Sequence, residues 1–298
     1  MDHWDLIAGM SAQDRAALTR RRNAPGLWHL AGHLTLIAAT GTWIAAGWPF
    51  WGAVLPVHGI FLVFLFTLTH ETTHKTPFAT PWLNEWVGRA CGFVLLIPFE
   101  WFRYFHLAHH RHTNIPGKDP ELEGGGLPGT RRAYWWRVSG LPYWFRVIRQ
   151  IAALVRGQGM ADYIPNAARP LIVREARTML AIYALAVGSL AISPALFWLW
   201  ILPVVLGQPA LRLYLMAEHG RCAFVADILD NTRTTFTNRI VRFLAWNMPY
   251  HTEHHTLPNV PFHALPRLHR IMAPHLKHTA PGYRWFNWRL LRDLPPAP

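Results

Sequence analysis

Three histidine clusters are the residues of this chain best suited to chemistry. His70-Glu71-Thr72-Thr73-His74 is followed by His106-Leu107-Ala108-His109-His110 and, far downstream, by His251-Thr252-Glu253-His254-His255. On a helix, positions i, i+3 and i+4 share a face, with β-carbons about 5–6 Å apart. The first cluster can therefore aim two imidazoles at one site, and each of the others can aim three. His219 stands alone in sequence, at the end of a later apolar stretch. These nine imidazoles exceed the roughly three or four protein ligands of an ordinary zinc site. They suit two metal ions. Imidazole accepts Zn, Cu, Fe or Ni, so ligand type leaves the metal open. Spacing alone is weak support, because His29 and His33 repeat the HxxxH pattern and are read as interfacial or packing residues. His112, just past the second cluster, is left outside the set.

The elements that position these clusters are expected to be membrane helices. Hydrophobic residues make up 51% of the 298 residues and charged ones only 15%, against roughly 25% charged in soluble proteins. No Lys or Arg occurs from Asn23 to His74 or from Thr178 to Leu211. The first block divides at Gly47-Trp48-Pro49 and the second at Ser193-Pro194, which predicts four transmembrane helices in two hairpins, near 27–47, 51–69, 174–192 and 195–217. Such lengths approach or reach the roughly 20 residues that cross a bilayer. The fold class is therefore all-α and integral to the membrane, one domain over 1–298. Segments 1–26, 75–170 and 218–298 hold all the basic residues except Arg174, Arg177 and Arg212, which lie near span ends, and read as cytosolic, with both termini inside. Bacterial inner membrane is the expected location. Placement of the +13 charge outside the apolar blocks argues for a membrane protein and against nucleic-acid binding. The 16 Trp residues suit interfacial anchors.

Within the middle segment, Ala90 to Phe99 is apolar but too short to span and reads as interfacial or re-entrant. Trp144, Ile148, Ile151 and Val155 recur at helical spacing with Arg146 and Arg149 off the stripe, as in a helix lying on a membrane surface. Gly124 to Gly129 spells GxGxxG, but no strand precedes it and Pro128 interrupts it, so a dinucleotide is not expected there. Cys91 and Cys222 form no metal-type motif and read as buried free thiols.

Taken together, HETTH, HLAHH and HTEHH interleaved with two membrane hairpins resemble the three histidine boxes of the membrane fatty acid desaturase-like superfamily. The resemblance runs from about His70 through the stretch Asn247 to Leu268. It implies a non-haem di-iron centre with O2 as co-substrate, held by His70, His74, His106, His109, His110, His251, His254 and His255, with His219 matching an additional histidine between the second and third boxes. Ligating imidazoles usually give their second N–H to a carboxylate or carbonyl. Glu71, Asp119, Glu218, Asn247 and Glu253 are candidates for that role by closeness in sequence.

The expected activity is O2-dependent oxidation of an unactivated C–H bond in a lipid, acyl or other hydrophobic substrate, by desaturation or hydroxylation. Relatives in the superfamily also suggest a hydroxylase, a ketolase or an oxidative N-demethylase of a methylated amine. No haem, flavin or nicotinamide motif is visible, so an external electron-donor protein, ferredoxin-like or similar, is expected to meet the basic cytosolic face. A histidine-rich metal transporter is the competing class. It predicts polar ligands near the bilayer midplane, where His58 is the main polar group.

Overall fold

The computed structural model describes residues 2–124 and 126–296. Two short helices, α1 (His3–Gly9) and α2 (Ala12–Leu18), lead into the long α3 (Asn23–Ala45). The chain turns back where the sequence predicts, with Gly47 and Phe50 both at positive φ, and continues as α4 (Trp51–Val63) and α5 (Leu65–Thr73). These two helices are separated only by a turn at Phe64 and together form one apolar rod, Trp51–Thr73, of 23 residues. α6 (Pro81–Val94) and α7 (Phe99–His112) make an antiparallel pair on the side of α5. The stretch from Ala90 to Phe99 is thus the last turn of α6 and the corner into α7, a shorter excursion than a re-entrant segment. Leu96 at positive φ makes that corner tight.

Next come α8 (Arg131–Val138) and α9 (Leu141–Val155), then α10 (Arg169–Ser189). In α9 the predicted apolar stripe divides in two. Ile151 is buried, while Ile148 joins Leu141 and Phe145 on an exposed apolar edge. A π-helical turn, Phe197–Ile201, opens α11 (Leu202–His219), and the two form a second apolar rod, Phe197–His219. The C-terminal region supplies α12 (Ile228–Asn231), strand β1 (Thr234–Thr235), α13 (Arg239–Leu244), α14 (His251–Thr256) and α15 (Leu265–Met272). It closes with β2 (Thr279–Ala280), which pairs parallel with β1, and α16 (Tyr283–Asp293). All other regular structure among the described residues is helical, in agreement with the expected all-α class.

By length and apolarity, two helices are suited to crossing a membrane, Trp51–Thr73 and Phe197–His219. They cross at two glycines. A β-carbon on Gly59 would lie 2.0 Å from the Pro203 carbonyl oxygen, and one on Gly207 would lie 2.3 Å from the Gly59 carbonyl oxygen. The backbones of α4 and α11 therefore touch directly, a separation that no other residue permits. α3 packs on α4, whereas α10 packs on α9 and α7, and both present exposed aliphatic residues such as Leu34, Leu180 and Leu185.

The core lies below the crossing, where Leu62, Val63 and Leu68 meet Leu211, Trp246 and Leu265. An ion network fixes α7 against its neighbours. Arg89 of α6 reaches Glu100 of α7 at 3.1 Å and Glu175 of α10 at 3.2 Å, while Arg103 of α7 reaches Glu85 of α6 at 2.7 Å. Glu175 also accepts the Glu100 backbone N–H at 2.7 Å, occupying a free donor at the start of α7. Shared partners of this kind set the rotation of the helix that carries the second histidine cluster. Cys91 and Cys222 are buried free thiols, as expected.

Candidate metal centre

Each histidine cluster sits on a helix or at its last turn. His70 lies on α5 and His74 ends it; His106, His109 and His110 lie on α7; His219 closes α11; His251, His254 and His255 lie on α14. The fold brings all nine rings together. His70, His74, His106, His110 and His254 form one group and His109, His219 and His255 a second, with the candidate donor atoms in each group within 4.8 Å of one another. His251 joins the second group through its Nε2, 3.0 Å from Nε2 of His219. His112 belongs to neither group.

Inside the first group, Nε2 of His70 lies 2.7 Å from Nε2 of His254, and Nε2 of His74 lies 2.9 Å from Nε2 of His106. The His110 and His255 rings stack with centroids 4.0 Å apart, linking the two groups. Burial holds His106, His110, His251, His254 and His255 well below the ordinary imidazole pKa, and neighbouring rings lower them further. Neutral imidazoles keep a lone pair free, the form that binds metal. Among the described residues, both ring nitrogens of His110 and Nε2 of His255 find no hydrogen-bond partner. Buried polar atoms rarely stay unpaired. A nest of inward lone pairs with no protein donor fits cations, and the all-imidazole donor set suits a transition metal.

The outer ring nitrogens explain why Nε2 faces inward. Nδ1 of His109 donates to Asp119 at 2.9 Å, and the Asp119 carboxylate also accepts the Asn114 and Glu121 backbone N–H groups at 2.7 and 2.9 Å. Burial would lower His109, yet the carboxylates of Glu121 and Asp119 outweigh it and its pKa is raised. Burial would raise Asp119, but His109 and the two backbone donors lower it. Nδ1 of His219 donates to the Asn231 carbonyl at 3.1 Å, and Nδ1 of His255 to the Thr113 hydroxyl at 3.1 Å. Glu71 lies 3.6 Å from Nδ1 of His254 and Glu218 lies 3.4 Å from Nδ1 of His251.

Three of the five carboxylate or amide candidates thus stand beside cluster rings, and two do not. Glu253 contacts His269 and accepts from Thr234 at 2.5 Å. Asn247 donates to the Phe262 carbonyl at 3.1 Å. Sequence reasoning missed Thr113, Asn231 and Glu121, the last 3.9 Å from Nδ1 of His109. His29 and His33 are packing residues, as expected, with Nε2 bonded to the carbonyls of Phe243 and Phe61 at 2.7 and 2.8 Å.

A cavity of about 830 Å³ opens beside the rings. His70, His106, His109 and His251 form one end of it, and Phe66, Trp101, Phe102 and Phe105 supply an aromatic wall. Its volume falls in the range that takes a small organic molecule, roughly 300–1,000 Å³.

The family model described as "Fatty acid desaturase" matches residues 46–287. The chain belongs to that family, and the resemblance carried by its three histidine boxes is thereby established. It is also similar to the mouse protein named sphingolipid delta(4)-desaturase/C4-monooxygenase DES2, with 26% identity over 194 residues. The alignment covers 62% of this chain and 53% of the relative, so the chain spans about half the length of that curated protein.

Proposed function

We propose that this chain is a membrane di-iron oxidase that desaturates or hydroxylates the hydrocarbon part of a lipid or acyl substrate, using O2 and electrons from a separate carrier protein. The observation that carries the proposal is the convergence of nine imidazoles in two adjoining groups at the end of an aromatic-walled cavity. His70, His74, His106, His110 and His254 would hold one iron, and His109, His219, His251 and His255 the other. When bound, such a pair supplies the redox equivalents needed to use O2 against an unactivated C–H bond.

The protein's own contribution is placement and exclusion. Phe66, Trp101, Phe102 and Phe105 would hold an alkyl chain against the His70–His106 end, and ångström-scale placement of its C–H bonds selects the product. Asp119 keeps the His109 proton on Nδ1, leaving Nε2 free to bind. Burial of the rings keeps bulk water from the reacting atoms.

The membrane reading places α3, the rod Trp51–Thr73, α10 and the rod Phe197–His219 across the bilayer, with termini and histidines on the cytosolic side. Exposed aliphatic side chains support it, including Leu185 at 75% on α10 and Ile192 at 91% in the turn that follows. The basic charge outside the apolar blocks supports an acidic electron donor at the cytosolic face. A metal-carrier role is less well supported. His58, the polar group singled out from the sequence as lying inside a span, is committed at both nitrogens, to Thr40 at 2.7 Å and to the Leu199 carbonyl at 3.0 Å.

Metal analysis of purified protein, joined to mass spectrometry of lipids from cells with and without His254→Ala, tests the proposal. Iron and a new unsaturated or hydroxylated lipid should appear with the native chain and vanish together in the variant. Active protein that contains no transition metal would overturn it.

A further inference from the structure

Arg212 is the notable charge inside the rod Phe197–His219. It sits seven residues before His219, about 10 Å of helix rise from the metal-side end. An arginine at such a depth is costly unless it faces a partner or a polar cavity. Its guanidinium stacks on the Tyr143 ring, 4.4 Å from the centroid, and lines the same cavity that ends at the histidines. Among the described residues it makes no hydrogen bond or ion pair, and its Nε is buried without an acceptor.

Both acidic and basic groups line the cavity. Glu121 and Glu218 stand at the histidine end, 3.9 and 3.4 Å from Nδ1 of His109 and His251. Arg137 and Arg146 join Arg212 on the cavity lining, where each reaches only a backbone carbonyl, of Gly126 and Gly124. Glu123 lines the cavity too, but it is exposed and enters no ion pair among the described residues. Three guanidinium groups, none of them ion-paired among the described residues, thus form an arginine pole that shares the cavity lining with the aromatic wall and the rings.

We propose that this pole binds the anionic headgroup, carboxylate or phosphate, of a single-chain amphiphile, with Arg212 as the principal contact and the alkyl chain directed toward the histidines. A planar guanidinium pre-set by stacking offers two parallel N–H groups to such an oxyanion. The headgroup then fixes how far along the chain the attacked C–H bond lies. This inference deepens the oxidase reading and rests on it only for the identity of the cavity's far end.

The test is equilibrium binding to the full chain in nanodiscs, without O2 or reductant, of dodecanoate, dodecyl phosphate, dodecanol and dodecyltrimethylammonium. At least one anion should bind at least tenfold more tightly than the alcohol or the cation. Arg212→Gln should remove that preference and leave dodecanol binding unchanged. Arg212→Lys, which keeps charge but loses the fork, should restore only part of it. Equal binding of all four probes, a preference for the cation, no binding of any probe, or uniform weakening in Arg212→Gln would each overturn the proposal. Iron content, measured on the same samples, reports separately on the oxidase reading, so the two can fail independently.

Discussion

Asp119→Asn is the most direct probe of the separation into two imidazole groups. The native carboxylate meets Nδ1 of His109 at 2.9 Å through Oδ1 and accepts backbone N–H groups on both oxygens. The amide has the same shape, but either orientation turns its NH2 toward a backbone N–H. One buried donor then loses its acceptor, at a cost of about 1–3 kcal/mol. The bond to His109 also loses its charge assistance, which roughly halves its strength. Removing a partner of a ligating histidine typically weakens metal binding by about 10–100-fold, or roughly 1.4–2.7 kcal/mol. The assay is metal retained per chain in detergent across a graded series of chelator concentrations. One ion should leave at a chelator level about 10–100-fold below that of the native chain, and the other should not move. His112→Ala, outside both groups, should follow the native curve. The reasoning is refuted if the Asp119→Asn curve superimposes on the native one, or if both ions leave together while helical content is intact.

Thr113→Val keeps the side-chain shape but removes the acceptor for Nδ1 of His255, and should weaken the same ion about tenfold; an unchanged chelator curve would count against it. Gly207→Ala places a methyl 2.3 Å from the Gly59 carbonyl oxygen, and should destabilise the chain by about 1–3 kcal/mol, read as a lowered thermal midpoint. An unaltered midpoint would mean that the two helices can part freely. In metal-free protein, His106, His110, His254 and His255 have folded pKa values depressed by burial from the ordinary 6.5. Their neutral-state stability is fully present above about pH 6.5 and is lost below it, at up to ~1.4 kcal/mol per pH unit for each ring. His109, whose pKa is raised, acts with the opposite sign but is one group against five, His251 being lowered by burial as well. The thermal midpoint of chelator-treated protein should therefore fall between neutral and mildly acid pH; a flat or rising trend would refute the burial argument.

The histidine clusters were legible because ligand sets on helices leave an i, i+3, i+4 imprint. The same logic could have excluded Glu253, which follows His251 by two positions and so points away from the face shared with His254 and His255. Thr113 and Asn231 left no local imprint. One meets its histidine across 142 positions of chain, and the other acts through a backbone carbonyl that any residue would offer. His29 and His33 have the spacing of the first box, and only their tertiary neighbours mark them as packing groups. The hairpin corners were readable from Gly and Pro, whereas the division of the α9 stripe into buried and exposed parts depended on where α10 comes to rest.

The glycine contact between α4 and α11 has a mechanical consequence for the metal site. His70 lies eleven residues beyond Gly59 and His219 twelve beyond Gly207, so each ring hangs about 16–18 Å from the contact. That point is the fulcrum of a long pair of tongs. A swivel of about three degrees there displaces either tip by close to an ångström, several times the roughly 0.2 Å latitude of a metal–nitrogen bond. Substitutions far from any histidine, at this one junction, can therefore retune the grip on a bound metal without altering a single candidate ligand.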